Sequence, residues 1–388
     1  MNPFISIRAS NIPKNVFLVM DQAKAEARAD GLEVIDLSIG SSDLDAPPEA
    51  LQELSRAVLD SSTLGYGLYQ SSLPFRAAAS TWMNSRFGLQ LSPEQVLSLI
   101  GSQEGLAHLL LALTDPGDTI LAPDPAYPSY YGAFALAGVN PHYMPLEAKN
   151  GFLPDLSSIP TDTARAAKVL ILNYPNNPTA GVATLDFWHE TLEFCKNFDL
   201  ALIHDAPYTE ITFGDYIAPS ALQADPKLER TLELHSFSKT HHMAGLRIGW
   251  AAGNLEMLNA LASTKGAIDF NQYLGIQRAA IKALESDPAR VRRDAQTFQH
   301  RRDALLGALK VLRWNAPTPQ ASMYVWAELP KQTGSFEFCE HLCRSTGVAL
   351  APGRAFGVQG EGWVRFALVQ PPSQLEEAVK RIKDFLFP

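Results

Sequence analysis

The sequence predicts an α/β protein built on a mostly parallel sheet with helices on both faces. Three observations carry that expectation. Between about residues 95 and 255, six short apolar runs alternate with helix-length segments, the order that parallel strands joined by crossover helices produce. Several runs lack polar alternation, as strands buried on both faces should. Turn residues mark the joints, at Asp115-Pro116-Gly117-Asp118, Pro123-Asp124-Pro125 and Asn176-Asn177-Pro178.

The first predicted strand, Gln95–Ile100, stops at Gly101-Ser102-Gln103-Glu104, which opens a helix running to Leu113. A helix start presents backbone N–H groups and a positive dipole end, suited to a phosphate; a plain N-cap at Ser102 fits the same residues. Asp118–Ala122 is the second strand and Lys168–Asn173 the third. Asn177 follows the third; standing before Pro178, it is kept out of the αR region, which directs its side chain. A simple turn-former explains it equally well. The predicted helix Asp186–Asn197 leads into the strand Asp199–His204, closed by Asp205, with Tyr208 three residues on. Such a carboxylate can pair with a protonated ring nitrogen and the hydroxyl with a ring oxygen, or the aspartate can merely cap the next helix. The strand Thr231–Ser236 runs into Ser236-Phe237-Ser238-Lys239, and Arg247 follows eight residues later, before Ile248–Ala252 and the helix Leu255–Leu261. An amine for an aldehyde, with hydroxyls and a guanidinium for a phosphate, is what a pyridoxal phosphate site needs. Ligands in open α/β sheets bind at the carboxyl ends of the strands, where all these clusters fall.

The texture changes near residue 286. Asp287–Leu312 reads as a long charged helix able to join a large domain to a smaller one. An alternating strand at Ser322–Leu329, a helix near Phe336–Thr346 and a closing helix at Ser373–Phe387 follow. The length of 388 residues allows two or three domains. A net charge of −9 speaks against a basic nucleic-acid face. No apolar run approaches the ~20 residues that span a bilayer, and Met1-Asn2-Pro3-Phe4 does not begin a signal peptide. A cytoplasmic protein with neither membrane nor nucleic-acid partner is expected. Cys195, Cys339 and Cys343 read as plain thiols.

Taken in order, these elements resemble the fold-type-I pyridoxal phosphate enzymes, in particular the class I/II aminotransferases. The resemblance runs from about Leu37 to Val369 and includes Asp124-Pro125-Ala126-Tyr127-Pro128, Asn177-Pro178-Thr179, Asp205-x-x-Tyr208, Ser-x-Ser-Lys239, Pro352-Gly353-Arg354-Ala355-Phe356-Gly357 and Val364-Arg365-Phe366. It implies a large domain (48–285) on a seven-stranded sheet and a smaller α+β domain from both termini, 1–47 and 286–388. It implies that Lys239 binds the cofactor aldehyde and shuttles the proton, while Asp205 keeps the pyridine nitrogen protonated. Tyr208 and Asn177 would hold the ring oxygen, and Tyr127 would stack on the ring. Ser102, Gln103 (through its backbone), Ser236 and Arg247 would bind the phosphate. Tyr66 would reach the phosphate of a second subunit, making a homodimer with shared sites. Arg365, helped by the Gly40 backbone and Asn177, would bind the substrate α-carboxylate.

Asp205–Ile211 and the Gly101–Leu106 loop resemble the branch holding aspartate, alanine and LL-diaminopimelate aminotransferases, with glutamate and 2-oxoglutarate as implied co-substrates. For a distal carboxylate, Lys265, Arg278 and Arg354 are equal candidates. Ser71 stands where the family has glycine, Ala180 separates Thr179 from Gly181, and Gln103 replaces a common lysine. His241 and His242 read as hydrogen-bonding loop residues. The Ser-x-x-Lys hydrolase reading lacks its partner motifs, and His189-Glu190 lacks the second histidine of a zinc protease, so no metal is expected. A lyase on the same scaffold and a non-catalytic regulatory module are the remaining alternatives.

Overall fold

The computed structural model describes residues 4–13, 17–67, 72–330 and 333–387. Its strands are β1 (Ile35–Asp36), β2 (Val96–Leu99), β3 (Thr119–Asp124), β4 (Asn140–Pro145), β5 (Ala167–Asn173), β6 (Ala201–Asp205), β7 (Thr231–Ser236), β8 (Gly249–Gly253), β9 (Tyr324–Glu328), β10 (Val348–Ala349), β11 (Ala351–Pro352) and β12 (Trp363–Ala367). Seven form one sheet in the order β2-β8-β7-β6-β5-β3-β4. Only β8 opposes its neighbours; the remaining pairs are parallel.

All six predicted runs are strands of this sheet. The seventh, β4, is not among them: Asn140-Pro141-His142-Tyr143-Met144-Pro145 buries only Met144. It is an edge strand, where prolines are tolerated because one side needs no hydrogen-bond partner. The helix read as Leu255–Leu261 continues to Ile268. Its last turn carries Lys265, a charge that normally marks solvent but is buried here.

The alternation along β5 shows how the sheet is covered. Val169 and Ile171 pack with Leu106, Leu109 and Leu261 on one face. Leu170 and Leu172 pack with Trp188 and Leu192 on the other. Both faces are therefore dry, and the strands need no polar alternation.

A second core joins the two ends of the chain. Met20, Leu37, Phe298, Leu342 and Ile382 share it, with Ile211 and Phe213 reaching in. β1 pairs with β10, and β12 lies between β11 and β9. Arg301 on the long helix Pro288–Val311 clamps Asp43 at 2.6 and 2.7 Å and donates to the Leu368 carbonyl. On this shared core we propose dividing the chain into 1–47 with 286–388, and 48–285. Among the described residues no helix is long and apolar enough to cross a membrane.

Gly249 shows how tightly the sheet meets the helix start beside it. A Cβ at Gly249 would run into the His235 carbonyl oxygen and lie 3.3 Å from the Ser102 nitrogen. Both are backbone atoms that cannot swing aside. Gly249→Ala is expected to cost about 1–3 kcal/mol of overpacking, seen as a lower midpoint in thermal melting. An unchanged melting curve refutes this close approach.

Candidate active site

Strands β2, β5, β6 and β7 point one way, so Gly101, Asn173, Asp205 and Ser236 follow or end them at one edge. β8 runs in reverse, so its beginning, just after Arg247, lies at that same edge. One antiparallel strand thus brings the arginine beside the lysine.

The end of the cluster around Gly101 and Arg247 is built on backbone. Gly101, not Ser102, caps the helix Ser102–Leu113, and Ser102 is its first helical residue. Gly101 has φ +80, and a Cβ there would sit 2.6 Å from Arg247 Nη2, so only glycine lets the guanidinium approach. Arg247 Nη1 donates to the Ala244 carbonyl at 3.0 Å and lies 3.5 Å from the Ser238 hydroxyl. Ser236 caps the short helix Phe237–Thr240, accepting from the Ser238 N–H through its hydroxyl oxygen, which leaves its proton to donate. The helix start is braced from behind by Glu104, which accepts from the Ile100 N–H at 2.8 Å and pairs with Lys265 at 2.9 Å. Burial pushes Glu104 up, but His108 and Lys265 hold it below the ordinary carboxylate range. Glu104, His108 and Asp269 also lie close enough to ligate a metal, yet the Lys265 ammonium already supplies the cation there.

Deeper in the site, Asp205 is buried at the end of β6. The Tyr130 hydroxyl donates to its Oδ2 at 2.7 Å, while Oδ1 has no hydrogen-bond partner. Burial drives its pKa up, opposed by Tyr130, by the charge of His204 and by the Ser102 hydroxyl nearby. Asn173 Nδ2 donates to the Asp205 carbonyl at 2.7 Å. A buried carboxylate oxygen with an open valence is costly unless it serves a ligand.

Lys239 Nζ donates to the Gly40 carbonyl and lies 6.0 Å from the Tyr208 ring centre. The Tyr208 and Tyr324 hydroxyls are 3.0 Å apart. Arg365 donates from Nη1 to Asn177 Oδ1 at 2.8 Å and from Nη2 to the Ser38 carbonyl at 2.7 Å. Its guanidinium is sandwiched by Tyr324 at 4.2 Å and Phe356 at 4.7 Å, and its buried Nε has no hydrogen-bond partner. Burial would raise the Tyr324 phenol, but the charges of Lys239 and Arg365 bring it below the ordinary value. The Tyr127 hydroxyl reaches Gln103 Oε1 at 3.3 Å. With Arg247 these two line a cavity of about 630 Å³. The larger cavity, about 1230 Å³, lies elsewhere, against the Arg86–Glu210 pair and His241, and none of the candidate residues line it.

The residues singled out in the sequence thus fall into one cluster, with Tyr66 as the exception. It is 83% exposed and meets the Phe270 ring at a tilt, with ring centres 5.4 Å apart. Lys265 and Arg278 are withdrawn as distal-carboxylate candidates. Lys265 is buried against Glu104 and Asp269, and Arg278 pairs with Glu53 and Asp60. Arg354 remains, exposed, two residues before Phe356. His242 meets Asp294 at 3.2 Å, and burial with the neighbouring His242 pushes His241 down to about 3. Ala180 takes φ +56, yet the Asn176–Thr179–Gly181 hydrogen bonds close that turn; Ser71 lies outside the described residues. Sequence reasoning missed Tyr324, Tyr130, Ser238 and the Ser38 carbonyl. Ser238 at least stands in the quoted lysine motif, whereas the alternating strand around Tyr324 signals only burial.

Residues 33–382 match the family Aminotransferase class I and II. An LL-diaminopimelate aminotransferase from Dehalococcoides mccartyi is 41% identical over 382 residues, 98% of either chain. A probable N-succinyldiaminopimelate aminotransferase from Thermus thermophilus superposes with a TM-score of 0.92 at 46% identity, covering 95% of this chain and 99% of that one. Substrate-bound BacF from Bacillus subtilis gives a TM-score of 0.94 at 32% identity, with 99% and 98% covered. Matched over nearly its whole length, in sequence and in fold, the chain belongs to the class I and II aminotransferases.

Proposed function

We propose that pyridoxal phosphate works in the site just described and that LL-diaminopimelate, or a close derivative, is the amino donor, with 2-oxoglutarate as acceptor. Transamination between amino and oxo acids is the activity of this chain, and the family uses pyridoxal phosphate. The observation that carries the cofactor reading is the open valence of Asp205 Oδ1, buried within a cluster that also offers the Lys239 amine and the Gly101–Arg247 cup. The donor reading rests on two relatives whose names share the diaminopimelate skeleton.

When bound, the cofactor supplies an electron sink for the pair left by the substrate Cα–H bond. The chain's own residues do the rest. Asp205 Oδ1 would accept the hydrogen bond of the ring nitrogen and keep it protonated. The Ser102 and Gln103 amides, the Ser236 and Ser238 hydroxyls and Arg247 would hold the phosphate. Tyr208 and Asn177 would orient the ring oxygen, and Tyr127 would cover the ring face. Arg365 would bind the α-carboxylate, its plane already fixed by Tyr324 and Phe356. The Lys239 amine would take the proton from Cα and return it to the cofactor's aldehyde carbon across the intervening nitrogen, as a general base and then an acid.

Tyr66, exposed against the also exposed Phe270, would serve the phosphate of a second copy in a homodimer. The three free, buried thiols suit a reducing compartment such as the cytoplasm.

The test is the visible absorbance of the loaded protein as single donors are added without any oxo acid. LL-diaminopimelate is expected to bleach it far faster than aspartate or alanine; bleaching by aspartate or alanine alone overturns the donor. Lys239→Ala is expected to take up the cofactor but turn over roughly 10²–10⁴-fold more slowly or worse; retained turnover removes Lys239 from the proton transfer.

Tyr324 yields a separate expectation. Tyr324→Phe keeps the ring against Arg365, whereas Tyr324→Leu removes it. KM for every amino donor is expected to rise roughly 3- to 30-fold in the leucine variant and little in the phenylalanine one. Equal KM values in the two variants refute the sandwich as a carboxylate-binding device.

A further inference from the structure

β6 ends in His204-Asp205, and successive strand residues face opposite sides of a sheet. Asp205 turns to the site, while His204, fully buried, packs behind it against Trp188 with ring centres 4.4 Å apart. Each ring nitrogen of His204 meets an acceptor. Nδ1 is 2.8 Å from Glu233 Oε2, its direct cross-strand partner on β7, and Nε2 is 2.8 Å from the Tyr174 carbonyl oxygen.

A carbonyl oxygen cannot donate, so Nε2 must carry a proton. Glu233 is likewise committed as an acceptor. Its Oε2 also receives the Ser220 hydroxyl and the Ala221 N–H, each at 2.9 Å. Its Oε1 faces His235 Nε2 at 2.7 Å. Nδ1 of His204 must therefore carry a proton too. His235 needs only one proton to meet Glu233 and can stay neutral, stacked flat on Trp250 at 4.7 Å. The charged or titratable groups around His204 are thus Glu233, Asp205 and His235.

We propose that His204 is a buried imidazolium, locked by Glu233 and the Tyr174 carbonyl, and that it is a positioning residue whose fixed charge keeps Asp205 ionised for the cofactor ring nitrogen. This rests on the reading of Asp205 given above. A buried carboxylate left alone would take up a proton, and a protonated Asp205 has no full charge with which to hold a proton on the ring nitrogen. The cation behind it acts through the dry interior of the sheet, where screening is weak. Glu233 balances the charge, so the interior is not left with an uncompensated ion.

Two measurements test this. In the protein without cofactor, histidine-selective ¹⁵N NMR at neutral pH is expected to show both ring nitrogens of His204 protonated. One bare nitrogen overturns the imidazolium without involving the cofactor at all. In the second, protein loaded with ¹⁵N-pyridoxal phosphate is expected to show a protonated ring nitrogen that shifts toward the unprotonated position in His204→Gln, with kcat at least about tenfold lower and KM little changed. A ring nitrogen that stays protonated in His204→Gln overturns the role of His204 alone. A native ring nitrogen without its proton overturns the Asp205 reading and the proposal with it. Should His204→Gln not fold, the NMR of the native protein still decides the protonation state.

Discussion

Placing a carboxylate at the end of a central parallel strand takes it out of water, and the cost of that burial organises the structure around Asp205. In front, Tyr130 satisfies one oxygen; from the neighbouring strand end, Asn173 ties down the backbone carbonyl. Behind, Glu233 and His204 form a buried pair on the opposite face of the same two strands. The second oxygen of Asp205 is left open. An unmet valence on a charge surrounded this closely is what the proposed cofactor would fill.

The strand directions supply the rest of the site. Parallel strands present their carboxyl ends together, which accounts for Asn177, Asp205 and Lys239. An arginine at the beginning of a strand can join them only if that strand runs the other way, as β8 does. The same reversal presses Gly249 against the first turn of the helix Ser102–Leu113. The closeness of Gly101 and Arg247 is therefore a property of the sheet.

These relations explain what was legible in the sequence. Residues just past strands buried on both faces stand out because the apolar runs are unbroken and the polar groups abrupt: Lys239, Asp205 and Asn177 are all of this kind. Arg247 was legible because its spacing from Lys239 lies within one stretch of chain. Contacts that close over long sequence separations were not. Nothing local tells that Lys265 is buried against Glu104 while Arg354 is exposed, since charges on helices and loops look alike until their partners are placed. β4 escaped because an edge strand with two prolines carries neither the apolar run nor the alternation. The role proposed for Tyr66 would depend on a second chain, which no single sequence contains.

Gly40 shows how little side chain is needed to join the two parts of the molecule. Its carbonyl accepts from Lys239 at the end of β7, and the position its Cβ would occupy is filled by the Tyr324 hydroxyl. Tyr324 in turn reaches Tyr208 from the large sheet and lies under Arg365 from β12. Any side chain at residue 40 would push Tyr324 off both partners at once. The Lys239 amine, the Tyr324 hydroxyl beside it and the Arg365 guanidinium are thus held in register through one glycine. Met20 and Leu37, far from all of them in sequence, pack into one core with Ile382 near the chain end, and the Ser38 and Gly40 carbonyls between accept from Arg365 and Lys239.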